Sequence, residues 1–343
     1  VIMCNYKTLI ILLNWNGSYD TLECCKSLKQ VTEVKKREAD VFIIDNNSSI
    51  EQCDYLKNGL SLEFGEPSLI HTDNELEQTY CIDEVLKYEN YYLLRSRTNH
   101  GFAKGCNLGV KYALKNNYQN ILFLNNDTIV ESNFLLPLLQ TLKLSDAVIP
   151  QIRYWHDKNL IWNCGGAITT FGTRKYFYAK NNINNIVFPS SIFPVSFATG
   201  CCILFKTEYF HRVGLFSERF FFGEEDIELA LRLKKLKAKI LCNTTSIIYH
   251  KVGASIKGEQ EILLRKAYIH YLNRFVNMKL HLGLWWYIWI IPSVVKVLIN
   301  LMRINKIKLN YSFFVVGKLL TNSLNLSEVD KDTFEKILKC GIK

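Results

Sequence analysis

No two of the 11 cysteines in this 343-residue chain stand in a C-x-x-C pair. Cys24 and Cys25 are adjacent, as are Cys201 and Cys202, and adjacent residues are poorly placed for an ordinary disulfide. The odd total and irregular spacing exclude a disulfide framework or a zinc-finger module, and a reduced, cytosolic setting is expected. A secretory leader is also missing, because the apolar run at residues 10–13 is too short and passes straight into polar residues. Neither the dinucleotide fingerprint nor a P-loop is present, which argues against a dehydrogenase or an ATPase. Residues 8–20 lack the Gly-rich, basic triphosphate loop of a nucleotidyltransferase that would make an activated sugar. No RNA-binding aromatic motif occurs, so nucleic acid is not expected as the partner.

What is present is a large apolar fraction, 48%, which supports a packed core and excludes disorder. The net charge of +10 is unevenly spread. From Ala230 onward there are 20 Lys/Arg against 6 Asp/Glu, whereas the residues before it carry 22 against 26. A basic, aromatic-rich tail suits an anionic membrane surface or a phosphorylated acceptor. Within it, residues 284–302 (LWWYIWIIPSVVKVLINLM) are broken only by Pro292, Ser293, Lys296 and Asn300. As a helix this stretch reaches about 30 Å, the thickness of a hydrocarbon core. The lone Lys, the Pro, the Trp cluster and the basic flanks at Lys279, Arg303, Lys306 and Lys308 favour an interfacial or re-entrant helix, with a helix packed on the main domain as the alternative.

The front of the chain alternates strand and helix patterns. Continuous apolar runs at 8–13 (TLIILL), 41–44 (VFII), 91–94 (YYLL) and 121–124 (ILFL) predict strands buried on both faces. Helices are expected at 18–31, 101–114, 133–142 and 227–236, and short strands at 147–150, within 195–205, at 240–242 and at 247–250. The pattern predicts an α/β fold with a mostly parallel, doubly wound sheet, in which ligands bind outside the carboxyl ends of the strands. Residues 50–90 carry no readable pattern, and 151–194 reads as an irregular binding segment.

Polar groups follow those strands: Asn14 and Asn16, then Asp45, then Asn125 and Asp127. A carboxylate such as Asp45 can accept from a pyrimidine imide, and one such as Asp127 suits Mg²⁺ or Mn²⁺ shared with phosphate oxygens. Turn or helix capping is the competing role for both. Residues 99–109 (NHGFAKGCNLG) place Gly101, Gly105 and Gly109 at the start of a helix, either for backbone approach to a diphosphate or for close helix packing. Glu224, Glu225 and Asp226 precede an amphipathic helix; they can serve its macrodipole or deprotonate an acceptor hydroxyl. His250 follows the last strand, in line with the other strand ends, as a metal or diphosphate contact or a structural histidine.

Taken in order, LLNWNG (12–17), VFIIDNNSS (41–49), NHGFAKGCNLG (99–109), ILFLNNDT (121–128), the segment 198–233 and YHKVGAS (249–255) resemble the family-2 inverting glycosyltransferases of the GT-A fold, in particular their rhamnosyltransferase-like branch. The resemblance implies a GT-A domain over 1–258 and a helical C-terminal region over 259–343 that is membrane-associated or acceptor-binding. It implies a nucleoside-diphosphate sugar donor (dTDP- or UDP-linked), a glycan or lipid-linked glycan acceptor in bacterial surface polysaccharide synthesis, and a place at the inner face of the plasma membrane. Asp45 then looks like the base-binding acid. Asp127 looks like the second acid of the metal-binding D-x-D element, with Asn125 in place of the first, and His250 like a late metal or diphosphate ligand. Asp226 looks like the catalytic base, with Glu225 as the fallback. Asn14, Asn16, Asn99, Gly101, Lys104, Gly105, Asn107 and Asn125 are expected around the donor. Two departures stand out: residues 50–95 are longer than the usual link, and the region beyond Ser255 varies too widely in the family to specify an acceptor.

Overall fold

The computed structural model describes residues 7–252, 260–303 and 307–342. Fourteen strands occur in chain order: β1 (Thr8–Asn14), β2 (Ala39–Asp45), β3 (Ser68–Ile70), β4 (Ile82–Tyr88), β5 (Tyr91–Ser96), β6 (Asn120–Asn125), β7 (Thr128–Val130), β8 (Ala147–Tyr154), β9 (Ile161–Asn163), β10 (Gly166–Ile168), β11 (Arg174–Tyr176), β12 (Ile192–Val195), β13 (Cys202–Lys206) and β14 (Ile240–His250). The helices are α1 (Ser18–Leu28), α2 (Thr32–Lys35), α3 (Ile50–Phe64), α4 (Asn74–Thr79), α5 (Gly101–Lys115), α6 (Leu135–Leu142), α7 (Tyr209–Val213), α8 (Glu225–Lys235), α9 (Gln260–Leu282), α10 (Trp286–Arg303), α11 (Leu309–Asn325) and α12 (Lys331–Cys340).

The main sheet runs β12-β14-β8-β13-β6-β1-β2-β5-β4-β3. Its heart, β6-β1-β2-β5, is parallel, as is the β8–β14 pair, while β13 and the outer strands run antiparallel to their neighbours. The unbroken apolar runs have a direct physical cause. Successive residues of a strand point to opposite faces, so Leu9 and Ile11 of β1 pack into one core with α5, and Ile10 and Leu12 into a second core with α1 and α3. A strand buried on both faces has no polar position to spare.

Several local expectations are refined. Residues 50–90 supply α3, α4 and the antiparallel β3–β4 edge. Ser49 opens α3 by accepting from the Gln52 amide, the side-chain cap that Ser supplies at a helix start. The two short strands expected at 240–242 and 247–250 are one strand, β14, with an irregularity between Asn243 and Ile247. The irregular stretch 151–194 contains a small β10–β11 hairpin, paired antiparallel and outside the main sheet.

The C-terminal helices do not stand apart. A third core joins Ile168, Phe197, Phe220, Ile227 and Leu231 to residues of α9, α10, α11 and α12. Helix α10 is buried on one side and exposed on the other. Trp286, Ile290, Val297 and Leu301 are buried, whereas Tyr287, Ile288, Ile291 and Val295 are exposed, as is Trp285 in the turn just before the helix. The helical run Glu261–Arg303 is long and apolar enough to cross a membrane by length and composition, and only 17% of its most apolar window is buried. Lys306 lies outside the described residues.

Candidate active site

The parallel strands end on one rim. Asn14 and Asp45 are partners in the β1–β2 register, and Asn14 Nδ2 donates to Asp45 Oδ1 at 2.8 Å. Asp45 Oδ2 accepts from the Ser48 amide, and the Asp45 side chain is fully buried. Asn14 is also fully buried, with its oxygen accepting from Thr21 Oγ1 and the Gly17 amide. Its role in the fold is to hold Asp45 and the following turn, rather than to present a free group. Asn16 has a left-handed backbone (φ 52) and accepts from the Ser49 amide, so it ties the loop after β1 to the loop after β2.

Asn46 extends this rim toward α5. Its Nδ2 donates to Asn99 Oδ1 and to the Gly101 carbonyl, and its Oδ1 accepts from the His100 amide. Asn99 accepts from the Gly101 amide and so starts the helix. Lys104 lies over the Tyr80 ring. The glycine stripe has a packing cause, which supports the close-packing alternative. A Cβ on Gly105 would stand 2.6 Å from Leu13 Cδ1, and one on Gly109 2.5 Å from Ile11 Cδ1, both on β1. At Gly101 (φ +77) a Cβ would meet the Phe221 carbonyl at 2.1 Å. Asn107 also makes bonds within the protein. It is fully buried, donates to the Phe216 carbonyl and Glu218 Oε1, and accepts from the Phe216 amide, so it clamps the segment leading to the acidic cluster.

Asp127 and His250 meet where β7 pairs with β14, with His250 Nε2 3.1 Å from Asp127 Oδ1. The Lys251 amide donates to the Asp127 carbonyl, and Lys251 Nζ donates to Asp20 at 2.6 Å. Burial alone would lower the His250 pKa, but Cys201 and the Asp127 carboxylate outweigh it and raise it. Asn125, two residues before Asp127, donates its amide to the Cys201 carbonyl. Asn126, which the sequence reading passed over, bonds Thr21 Oγ1 at 2.9 Å and fixes the turn carrying Asp127. The Asp127 carboxylate suits Mn²⁺ or Mg²⁺, whereas the His250 imidazole could join it on Mn²⁺ only in its neutral form, which the raised pKa opposes. Among the described residues no three His, Cys, Asp or Glu side chains form a metal-holding group. The remaining ligands would therefore be phosphate oxygens and water.

The acidic cluster stands at the start of α8. Glu224 has a left-handed backbone (φ 72), unusual for a residue with a Cβ. It is held there by Arg274 Nη1 at 2.8 Å and Asn277 Nδ2 at 3.0 Å, both from α9. Burial, then Asp226 and Glu224, raise the Glu225 pKa to about 8, and Glu225 Oε2 is buried without a hydrogen-bond partner. Asp226 is raised less, to about 6, because Arg174 counteracts its burial. Arg174 thus favours the ionised form of Asp226, whereas the neighbouring acids oppose ionisation of Glu225. Asp226 approaches the start of β13: a Cβ on Gly200 would lie 3.9 Å from its Cβ. Arg174 and Arg274 were not foreseen; the first lies in an unpatterned stretch and the second in a helix that resembles nothing specific.

The sequence pattern of the family described as "Glycosyl transferase family 2" matches residues 10–214, well over half of the chain. The chain belongs to glycosyl transferase family 2. As a glycosyltransferase it is not a nucleotidyltransferase that makes an activated sugar. A relative from Haloferax volcanii, "Low-salt glycan biosynthesis hexosyltransferase Agl10", is 24% identical over 248 residues, 69% of this chain and 75% of the relative. Among solved structures, GalNAc-T7 with UDP, GalNAc and Mn²⁺ aligns with a TM-score of 0.53 at 15% identity, covering 79% of this glycosyltransferase. The chain spans about half the length of GalNAc-T7, 51%. The mannosyltransferase PcManGT from Pyrobaculum calidifontis, in complex with GDP-Man and Mn²⁺, aligns at 0.50 with 12% identity over 98% of this chain and 79% of its own. Both likenesses are of fold, and they agree with the GT-A architecture.

Proposed function

We propose that this glycosyltransferase works by inversion. In this reading it moves a hexosyl group from a nucleoside-diphosphate donor onto a hydroxyl of a glycan or lipid-linked glycan, at the inner face of the plasma membrane, in bacterial surface polysaccharide synthesis. Rhamnose from a dTDP donor is the leading case, with UDP-sugars next. Asp45, held by Asn14 and Ser48, is assigned the base of the nucleotide. Asp127 and His250 are assigned a divalent cation, Mg²⁺ or Mn²⁺, whose chemistry when bound is to stabilise the departing diphosphate. The Mn²⁺ present with GalNAc-T7 and PcManGT supports that assignment.

The observation that carries the reading is the acidic cluster at the start of α8, which brings Asp226 up against the Gly200 position beside β13. An ionised Asp226 accepts the proton of the acceptor hydroxyl as its oxygen attacks the anomeric carbon. The bond from that carbon to the donor phosphate breaks, the nucleoside diphosphate leaves with the electron pair, and the configuration inverts. A base poised near the working pH is the efficient arrangement. The exposed apolar face of α10, next to the basic tail, supports attachment at a membrane surface.

The test is a panel of nucleotide sugars with Mg²⁺ or Mn²⁺, read by nucleoside-diphosphate release and by donor-dependent thermal stabilisation. One donor is expected to bind with metal, and Asp127→Ala to lose that binding. If no nucleotide sugar binds under any metal condition, the proposal fails.

A further inference from the structure

A cleft of about 750 Å³ lies outside the strand-end rim, between the β10–β11 hairpin and helices α9 and α10. That volume is within the range of small-molecule sites. Its lining includes Arg174, His270, Arg274 and Lys296, and no Asp or Glu. Arg274 is already committed to Glu224. Among the described residues, neither Arg174 nor Lys296 has a carboxylate in an ion pair. Arg174 instead stacks its guanidinium over Tyr176 and Phe197, and Lys296 is exposed. Lys296, with no ion pair among the described residues, and Arg174, which also acts on Asp226 from outside the cleft lining, form a site for an anion with no acid in its walls.

The rest of the lining is apolar. Trp285, Ile288, Trp289 and Pro292 of the α10 segment form one wall. Trp289 Nε1 donates to the Phe171 carbonyl and fixes the hairpin against the helix. Beyond the wall, α10 carries its solvent-facing stripe, with Ile288 at 62% and Ile291 at 66% exposure. A cationic end and an apolar wall that continues onto an exposed apolar helix fit a phosphate carrying a hydrocarbon chain. A soluble phosphate or a nucleic acid would not use the stripe. The cleft also adjoins the proposed base, since Arg174 is close enough to act on the Asp226 carboxylate.

We infer that this cleft holds the phosphate-bearing end of a lipid-borne acceptor, with the phosphate between Arg174 and Lys296 and the first units of the chain along Trp285 and Ile288. The inference rests on the glycosyltransferase reading given above and names the part of the acceptor it left open. In the assembly it describes, the lipid phosphate sits on the hairpin side and presents the attached sugar toward Asp226.

The full chain is to be tested by co-sedimentation with phosphatidylcholine vesicles carrying a long-chain polyprenyl phosphate. Vesicles carrying phosphatidylglycerol at matched surface charge serve as the comparison. The protein is expected to prefer the polyprenyl phosphate by about tenfold or more, the scale of one or two charge-assisted hydrogen bonds. Lys296→Glu and Arg174→Gln are expected to abolish that preference. Ile291→Glu, outside the cleft, is expected to weaken binding to both vesicle types equally. Equal binding of the wild-type chain to both vesicles overturns the inference, as does a preference that survives both cleft variants. Displacement from both vesicle types by inorganic diphosphate to the same extent overturns its lipid part. Slow donor hydrolysis by Lys296→Glu, followed separately, shows that this variant is folded. Loss of donor turnover in the wild-type chain counts against the donor reading, whereas the vesicle preference is measured without donor.

Discussion

Two adjacent carboxyl groups at the start of α8 stand in different surroundings. Arg174 offsets part of the burial of Asp226, whereas Glu225 lies between two other acids with one buried oxygen unpartnered. A protonated carboxyl is well mimicked by an amide and an ionised one is not. Glu225→Gln is therefore expected to leave turnover within a few-fold of wild type. Asp226→Asn is expected to lose about 10²–10⁴ in kcat, the usual range for a general base, while retaining donor binding by thermal shift. The reverse ranking, measured with one donor, would move the base to Glu225. The pH dependence has a definite sign. A base must be deprotonated to act, so kcat/KM should rise with pH through about 6 and then level off, and removing Asp226 should remove that limb.

The helix α5 and the loop that carries the acids depend on a close backbone approach. The Phe102 amide donates to the Phe221 carbonyl, and the missing side chain at Gly101 leaves room for that carbonyl. Gly101→Ala is expected to displace residues 221–226, lowering kcat far more than donor affinity and destabilising the fold by about 1–3 kcal/mol, the range for overpacking at a close contact. Calorimetry and single-turnover kinetics measure the two effects. The α5 case also marks what was legible in the sequence. The glycine spacing gave the position of the helix and its close packing, because an absent Cβ is written in the residue itself. The choice between approach to a ligand and approach to β1 was not written there, because it depends on Leu13 and Ile11, some 90 residues earlier. The strand ends were readable for the same local reason: a run buried on both faces must stop where a polar residue begins, as at Asn14, Asp45 and Asn125. Arg174 and Arg274 were not, since a basic residue in an irregular loop or a polar helix has no local mark of its eventual partner. The edge strands β3 and β4 escaped for a related reason. The outermost strand, β3, is largely exposed and its neighbour β4 mixes exposed, half-buried and buried positions, so neither leaves a clear pattern.

At the scale of the whole molecule, the C-terminal helices take part in building the active site. Glu224 sits fully buried in a left-handed conformation, with its charge met by Arg274 and Asn277 of α9. Asn273 of the same helix holds the Phe222 carbonyl, and Val329 pairs with residues 219–221 further along the chain. A chain ended at residue 258 would thus expose the third core and leave Glu224 unmatched, and it is expected to lose transfer activity even though every strand-end residue remains. A substitution isolates the electrostatic part of that dependence. Removing one member of a buried ion pair leaves the other desolvated and alone, at a cost of about 3–5 kcal/mol, whereas replacing both members is often nearly neutral. Arg274→Met alone should therefore destabilise the protein by about that amount, with turnover falling as residues 223–226 lose their tether. Adding Glu224→Gln to it should restore most of the stability, because the new amide carries no charge and can still accept from Asn277. Denaturant unfolding of the two single variants and the double variant forms a closed cycle whose coupling energy should approach the sum of the two single-variant losses. If the double variant is as unstable as Arg274→Met, the ion pair is not what fixes Glu224, and packing of α9 against α8 in the third core carries the dependence instead.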